Sequence, residues 1–220
     1  MLRHKKILVF DFETTGLNPM VDQIIEVGAI LYEYRDDRYQ IMDTFNALVK
    51  TPNKLPFKIV EITHITDEML EREGISEEMA FNQLSAMYDQ DTLLVAYNIS
   101  FDLGFLQAMW RKFYERHYEI KNDILDVMAV YKDRHKFPHK LDNVVETYAI
   151  EVKNTHRALD DVMATFEALL KMNEEKSNLP LYVNVIGYNV KYGISMPMRH
   201  IRYIPQGFNG LGEIEKALLK

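Results

Sequence analysis

The 220-residue chain contains no cysteine. Disulfide scaffolds, thiolate zinc sites and cysteine nucleophiles are therefore excluded. No stretch approaches the roughly 20 apolar residues of a membrane-spanning helix, so no membrane partner is expected. The apolar run Ile7–Phe10 after the basic start is too short for the core of a signal peptide, and acids follow it at once. A cytoplasmic location is the simplest expectation. Positive charge is not in excess either: 26 Lys and Arg stand against 33 Asp and Glu, for a net charge of -7. A broad basic face that coats long nucleic acid is thus excluded. A cleft that holds a few nucleotides is not, because bound metals can supply positive charge locally. Glycine and proline are sparse at nine and seven. With neither repeats nor low-complexity segments, the chain fits one substantial domain and a modest appendage.

What is present is an ordered set of acids in distinctive surroundings. The run Lys5–Phe10 reads as a buried strand with acids at its end. Gln23–Tyr34 and Tyr39–Lys50 read as two further strands, joined by a hairpin turn at Arg35–Arg38. Phe57–Thr63 and Ser76–Tyr88 read as helices, and Thr92–Ala96 as a fourth strand. Phe101–Tyr114 is helical, Ile124–Leu125 is a short fifth strand, and helices follow over Val127–Arg134, Leu141–Tyr148 and Ala158–Asn173. Three consecutive strands and then strands alternating with helices predict an α/β fold with a mixed, five-stranded sheet. Glu174–Ser177 reads as a linker.

Asp11 and Glu13 lie two apart on the first strand, so their side chains share a face while Phe10 and Phe12 take the other. Two neighbouring carboxylates suit hard divalent cations such as Mg²⁺ or Mn²⁺. Thr14, Thr15 and Gly16 then form a turn whose backbone can approach a nucleotide closely. Asn98 and Asp102 sit at a strand-to-helix junction, where Asn98 can order the loop. Asp102 points back towards the sheet edge, or simply serves the helix start as an N-terminal acid. Asp161 falls in the first turns of the last long helix. Its neighbour Asp160 lies about 100° round that helix, so both cannot face one metal. His156 precedes this helix in a loop. It is placed to take a proton from metal-bound water, or is a solvated loop histidine. Four clustered acids need cations between them, and two divalent metals beside a histidine base suggest phosphodiester hydrolysis.

In combination, Phe-Asp-Phe-Glu-Thr-Thr-Gly-Leu at 10–17, Ala-Tyr-Asn-Ile-Ser-Phe-Asp at 96–102 and His-Arg-Ala-Leu-Asp-Asp at 156–161 resemble the three motifs of the DEDD 3′–5′ exonucleases. The histidine of the third motif resembles the His-type branch, and the chain looks most like the proofreading epsilon subunits of bacterial DNA polymerase III. The second motif departs from that pattern with Tyr97 in the usual histidine position. Ile62–Thr66 resembles a further family stretch, with Ile65 in place of glycine. The resemblance covers residues 5–172 and implies a ribonuclease H-like fold with an exonuclease domain over residues 1–175. It implies two divalent metal ions, Mg²⁺ or Mn²⁺, held by Asp11, Glu13, Asp102 and Asp161, with His156 as the base. It further implies that Thr14, Thr15, Gly16, Leu17, His64, Ile65, Asn98 and Phe101 surround the 3′ nucleotide. Leu17 and Ile65 would wedge against the base, whereas Phe101 has an equal claim to the core. Asp126 matches a recurrent acid of the family, but reads first as a helix cap. The implied substrate is a single-stranded DNA 3′ end, with RNA as the alternative. A DNA polymerase subunit is the implied partner, and the chain's length assigns any polymerase to a separate chain.

Residues 176–220 form a C-terminal extension of strand composition. From Leu179 to Gly212 it interleaves Tyr182, Tyr188, Tyr192, Tyr203 and Phe208 with Lys191, Arg199 and Arg202, and holds no acid. Basic and aromatic residues together can hold single strands. The simpler expectation is a β-hairpin packed on the exonuclease core or, in a homodimer, on a second copy.

Overall fold

The computed structural model describes residues 2–152, 157–194 and 197–219. Its elements run β1 (Lys6–Thr14), β2 (Ile24–Arg35), β3 (Arg38–Leu48), α1 (Phe57–Thr63), α2 (Asp67–Glu73), α3 (Glu77–Ala86), β4 (Leu93–Ala96) and α4 (Ile99–Phe113). They continue with β5 (Ile124–Asp126), α5 (Val127–Arg134), α6 (Leu141–Thr147), α7 (Ala158–Glu175), β6 (Val185–Tyr188), β7 (Arg202–Pro205) and α8 (Glu213–Leu218). A 3-10 turn over Leu179–Tyr182 precedes β6. The main sheet has the order β3-β2-β1-β4-β5. β1, β2 and β3 are antiparallel, and β4 and β5 run parallel to β1 and to each other. The mixed five-stranded sheet expected from the sequence is present.

The pleat of β1 sorts its side chains. Ile7 and Val9 enter one core, with Val162, Phe166 and Leu169 of α7. Leu8, Phe10 and Phe12 enter the other, with Phe81 and Leu84 of α3 and Leu103 and Phe105 of α4. Asp11 and Glu13 continue the odd series and so belong to the α7 side. β1 is longer than its apolar run, because the acids lie on the strand rather than beyond it. Glu174 and Glu175 likewise belong to α7, so the expected linker begins later.

The tail is not the hairpin that its composition suggested. β6 and β7 pair in parallel, Val185 opposite Arg202 and Tyr188 opposite Pro205. Parallel pairing requires a long crossover, and residues 189–201 supply one. The tail is stitched to the end of the main sheet. Val183 bridges Leu125, the Ile124 amide donates to Asn184 Oδ1 at 3.0 Å, and Gln206 Nε2 donates to the Ala129 carbonyl at 2.9 Å.

Asp133 on α5 ties three segments together. It is buried and accepts from the Tyr182 hydroxyl at 2.8 Å and from the amides of Ile214 and Glu215 at 2.9 and 3.0 Å. Those amides open α8, a helix too short to persist without its tertiary cap. Asp133→Ala leaves two buried donors and a part-buried one without an acceptor. It is expected to lower unfolding stability by about 3 kcal/mol. Chemical denaturation measures the loss, and hydrogen exchange should show α8 losing protection first.

Candidate active site

The pleat that sends Asp11 and Glu13 towards α7 brings them to Asp161 in the first turn of that helix. Oxygens of the three carboxylates lie within 4.8 Å of one another. Asp161, not Asp160, joins the group. The entry of α7 is fixed by a non-local clamp. Glu26 of β2 is almost fully buried, and Arg157 grips both of its oxygens from Nε at 3.0 and 3.1 Å and from Nη2 at 2.7 Å. The amide of Ala158 adds a third donor to Glu26 at 3.2 Å. Beneath the same turn lies Gly28, the β2 partner of Asp11. A Cβ on Gly28 would stand 2.5 Å from the backbone of Ala158. Glu26, Gly28 and Arg157 were not singled out in the sequence. The signal for Gly28 was a glycine inside an apolar strand, which marks close backbone approach.

Asp102, in the first turn of α4, is buried and reaches across the sheet edge from the other side. Its Oδ1 accepts from the Phe12 amide at 3.1 Å. Asp102 thus stands beside the three-acid group, and its charge and that of Asp11 act on each other. Burial, and then the neighbouring acids, push Asp11 and Asp102 well above the usual carboxylate range. Glu13 rises to about 8, through burial first and then the charges of Asp161 and Glu26, with Arg157 opposing. A set of hard oxygen donors that resist ionisation together fits divalent cations, which would relieve both the burial and the repulsion.

Linkage gives this a measurable sign. Between its ordinary value of 4.5 and about 8, Glu13 binds a proton more tightly in the folded chain than in the unfolded one. That contribution to stability is full below pH 4.5 and is lost as pH rises through 8. In chelator, the melting temperature should therefore fall from pH 5.5 to 8. Excess Mn²⁺ should raise it, and more at pH 8 than at pH 5.5. No shift with Mn²⁺ at either pH would contradict a metal site.

The remaining candidates divide. Thr14 and Thr15 use their hydroxyls within the turn: Thr14 Oγ1 donates to the Gly16 carbonyl at 2.6 Å, and Thr15 Oγ1 accepts from the Gln23 amide at 2.9 Å. Gly16 makes room for Asp22, whose carboxylate a Cβ would meet at 2.5 Å. Leu17 projects from the turn, 84% exposed. Asn98 takes the left-handed conformation before α4, and its amide donates to Asp126 at 3.1 Å. Asp126 caps α5 by accepting from the Met128 amide, as its position suggested. Burial pushes it up to about 6. Phe101 packs against the core and against Phe105, yet lines a pocket beside Leu17 and Asn98. Ile65 cannot wedge a base. It is 0% exposed and packs with Ile25, Leu48, Leu55 and Leu70. His64 before it has φ 58°, which turns the chain so that His64 faces solvent while Ile65 faces inward. His156 lies outside the described residues.

A family model described as exonuclease, RNase_T, matches residues 8–169. The DNA polymerase III PolC-type protein of Thermotoga maritima is 37% identical over 168 residues, covering 76% of this chain and 12% of that protein. The protein of the same name from Bacillus subtilis is 34% identical over 178 residues, with 78% and 12% covered. That of Halalkalibacterium halodurans is 33% identical over 224 residues, with 99% and 15% covered. The chain therefore spans only 12–15% of the length of these relatives. Among solved structures, E. coli exonuclease I with bound single-stranded DNA superimposes with a TM-score of 0.69 at 20% identity, over 82% of this chain and 43% of that one. Its complex with a dA16 oligonucleotide gives 0.68 at 22%, over 80% and 42%. This likeness is one of fold: the ribonuclease H-like arrangement expected from the motifs.

Proposed function

Because the chain belongs to the RNase_T exonuclease family, we propose that it is a 3′–5′ exonuclease that removes nucleoside 5′-monophosphates from single-stranded DNA ends, in the manner of proofreading. The observation that carries this reading is the convergence of Asp11, Glu13 and Asp161 within 4.8 Å, with Asp102 beside them. These four carboxylates would hold two divalent ions, Mg²⁺ or Mn²⁺, and the bound ions would supply an activated water and charge stabilisation at the phosphodiester.

The chain's own residues do the rest. Asp102 keeps its orientation through the Phe12 amide, and Asp161 keeps its position through the clamp of Arg157 on Glu26. His156 directly precedes the clamped Arg157. Its imidazole is the general base of the proposal, because histidine is the side chain that exchanges protons most readily near neutral pH. Leu17, exposed at the turn, and Phe101 are the residues left to hold the terminal base, with Thr14, Thr15 and Gly16 shaping that turn. His64 is retained as a substrate contact; Ile65 is not. A polymerase partner fits the PolC-type relatives, which are DNA polymerases by name.

The test compares release of the 3′ nucleotide from single-stranded DNA and RNA of equal sequence with Mn²⁺. Faster release from DNA supports the proposal. Faster release from RNA moves the chain to an exoribonuclease or oligoribonuclease-like role on the same site.

A further inference from the structure

A pocket of about 420 Å³ lies between the exonuclease core and the C-terminal segment. Leu17, Asn98 and Phe101 line it from the core, and Tyr188, Tyr192 and Phe208 from the tail. Asn98 and Phe101 of its core wall stand at the start of α4, the helix that also carries Asp102, and Leu17 stands four residues after Glu13. Two tail aromatics keep open surface: Tyr192 is 72% exposed, and Phe208, edge-on to Phe137, is 53% exposed. Lys191 Nζ lies 5.4 Å from the centre of the Tyr192 ring, adding positive charge at that wall.

One buried cation lines the same space. Lys132 of α5 is only 8% exposed, and among the described residues its ammonium makes no hydrogen bond or ion pair. Asp126 and Glu213 favour its charged form at longer range, and burial opposes it. Its stem is packed while its ammonium opens on the pocket, where an anion can reach it.

We propose that this pocket is a single-strand subsite: it takes the nucleotides just upstream of the 3′-terminal one, with a backbone phosphate on Lys132 and bases against Tyr188, Tyr192 and Phe208. The inference rests on the exonuclease reading above and extends it to a part of the chain beyond the family match. Lysine binds phosphate as a point charge, and aromatic faces stack on any base, so the subsite holds strand without reading sequence.

The test uses the whole chain, with Lys132→Met and Tyr192→Ala as variants, and a single-stranded decamer and a dinucleotide as Mn²⁺-dependent substrates. Each variant is expected to raise KM for the decamer roughly tenfold, with kcat within about twofold. The dinucleotide, which cannot reach the pocket's phosphate position, should be cleaved as before. Fluorescence anisotropy of the labelled decamer in chelator gives a readout without turnover. Lys132→Met should flatten the slope of log affinity against log salt by about 0.7, the share of one single-strand phosphate contact. Its melting temperature should hold or rise.

Unchanged KM and an unchanged salt slope would overturn the proposal. An equal KM rise on both substrates would overturn the upstream placement. A lower melting temperature with reduced kcat at constant KM would make Lys132 a structural residue, and so would overturn it too. If the unmodified chain cleaves neither substrate, the exonuclease reading fails on its own. The salt slope of the Lys132→Met variant then still decides whether the pocket holds a strand.

Discussion

Asp11→Asn is expected to lower nucleotide release by on the order of 10³-fold or more while raising the melting temperature of the metal-free chain. The two effects have one cause. Asp11 belongs to the three-acid group, where burial and then the charges of Glu13 and Glu26 disfavour its ionised form. An amide of the same shape removes one buried acid from that crowd, so the apo protein gains stability. It also removes a charged ligand. Loss of an outer-shell partner of a metal ligand already costs 10–100-fold, and loss of the ligand itself costs more. Steady-state release from a labelled strand and a thermal melt in chelator measure the pair. Equal activity would remove Asp11 from the chemistry. A lower melting temperature would show instead that Asp11 supports the fold.

Gly28→Ala is the second large effect, and it acts through geometry alone. The new Cβ would stand 2.5 Å from the backbone of Ala158, where no flexible side chain can give way. The start of α7 must shift, and Asp161 rides on its first turn. Overpacking of this kind costs about 1–3 kcal/mol. The kinetic cost should be larger in proportion, because a displacement of about 1 Å at a catalytic constellation can cost 10²-fold. Asp133→Ala is the matched control. It should lose comparable stability at the far end of α5 and keep kcat within a few fold. If Gly28→Ala lowers stability but not kcat, the position of α7 does not set the site.

These expectations turn on what the sequence could and could not carry. β1 and β4 were legible as short, continuous apolar runs, and α4 and α7 because their apolar residues recur at helical spacing. Asp11 and Glu13 could be placed on one face from the strand period alone; the helical period showed that Asp160 and Asp161 cannot both face one metal, and the choice of Asp161 came from the motif resemblance. α2 escaped because only Leu70 of its seven residues is buried. α8 escaped because its cap is Asp133, distant in the chain. The parallel pairing of β6 and β7 is a tertiary choice, invisible to a strand propensity that serves either orientation. Ile65 was misplaced for a local reason. It was placed beside the substrate with His64 by the family resemblance, but the left-handed backbone at His64 turns Ile65 inward. The Glu26–Arg157 clamp joins residues with no common motif, and only the fold brings them together.

The most direct test of the central claim follows one single strand of DNA labelled in turn at its 3′ and its 5′ end, with Mn²⁺ and with chelator. Immediate release of a labelled nucleoside 5′-monophosphate from the 3′ end is expected, with a shortening ladder from the 5′ label, and neither in chelator or with Asp11→Asn. Release that begins at the 5′ end, or that persists in chelator at an undiminished rate, would contradict it.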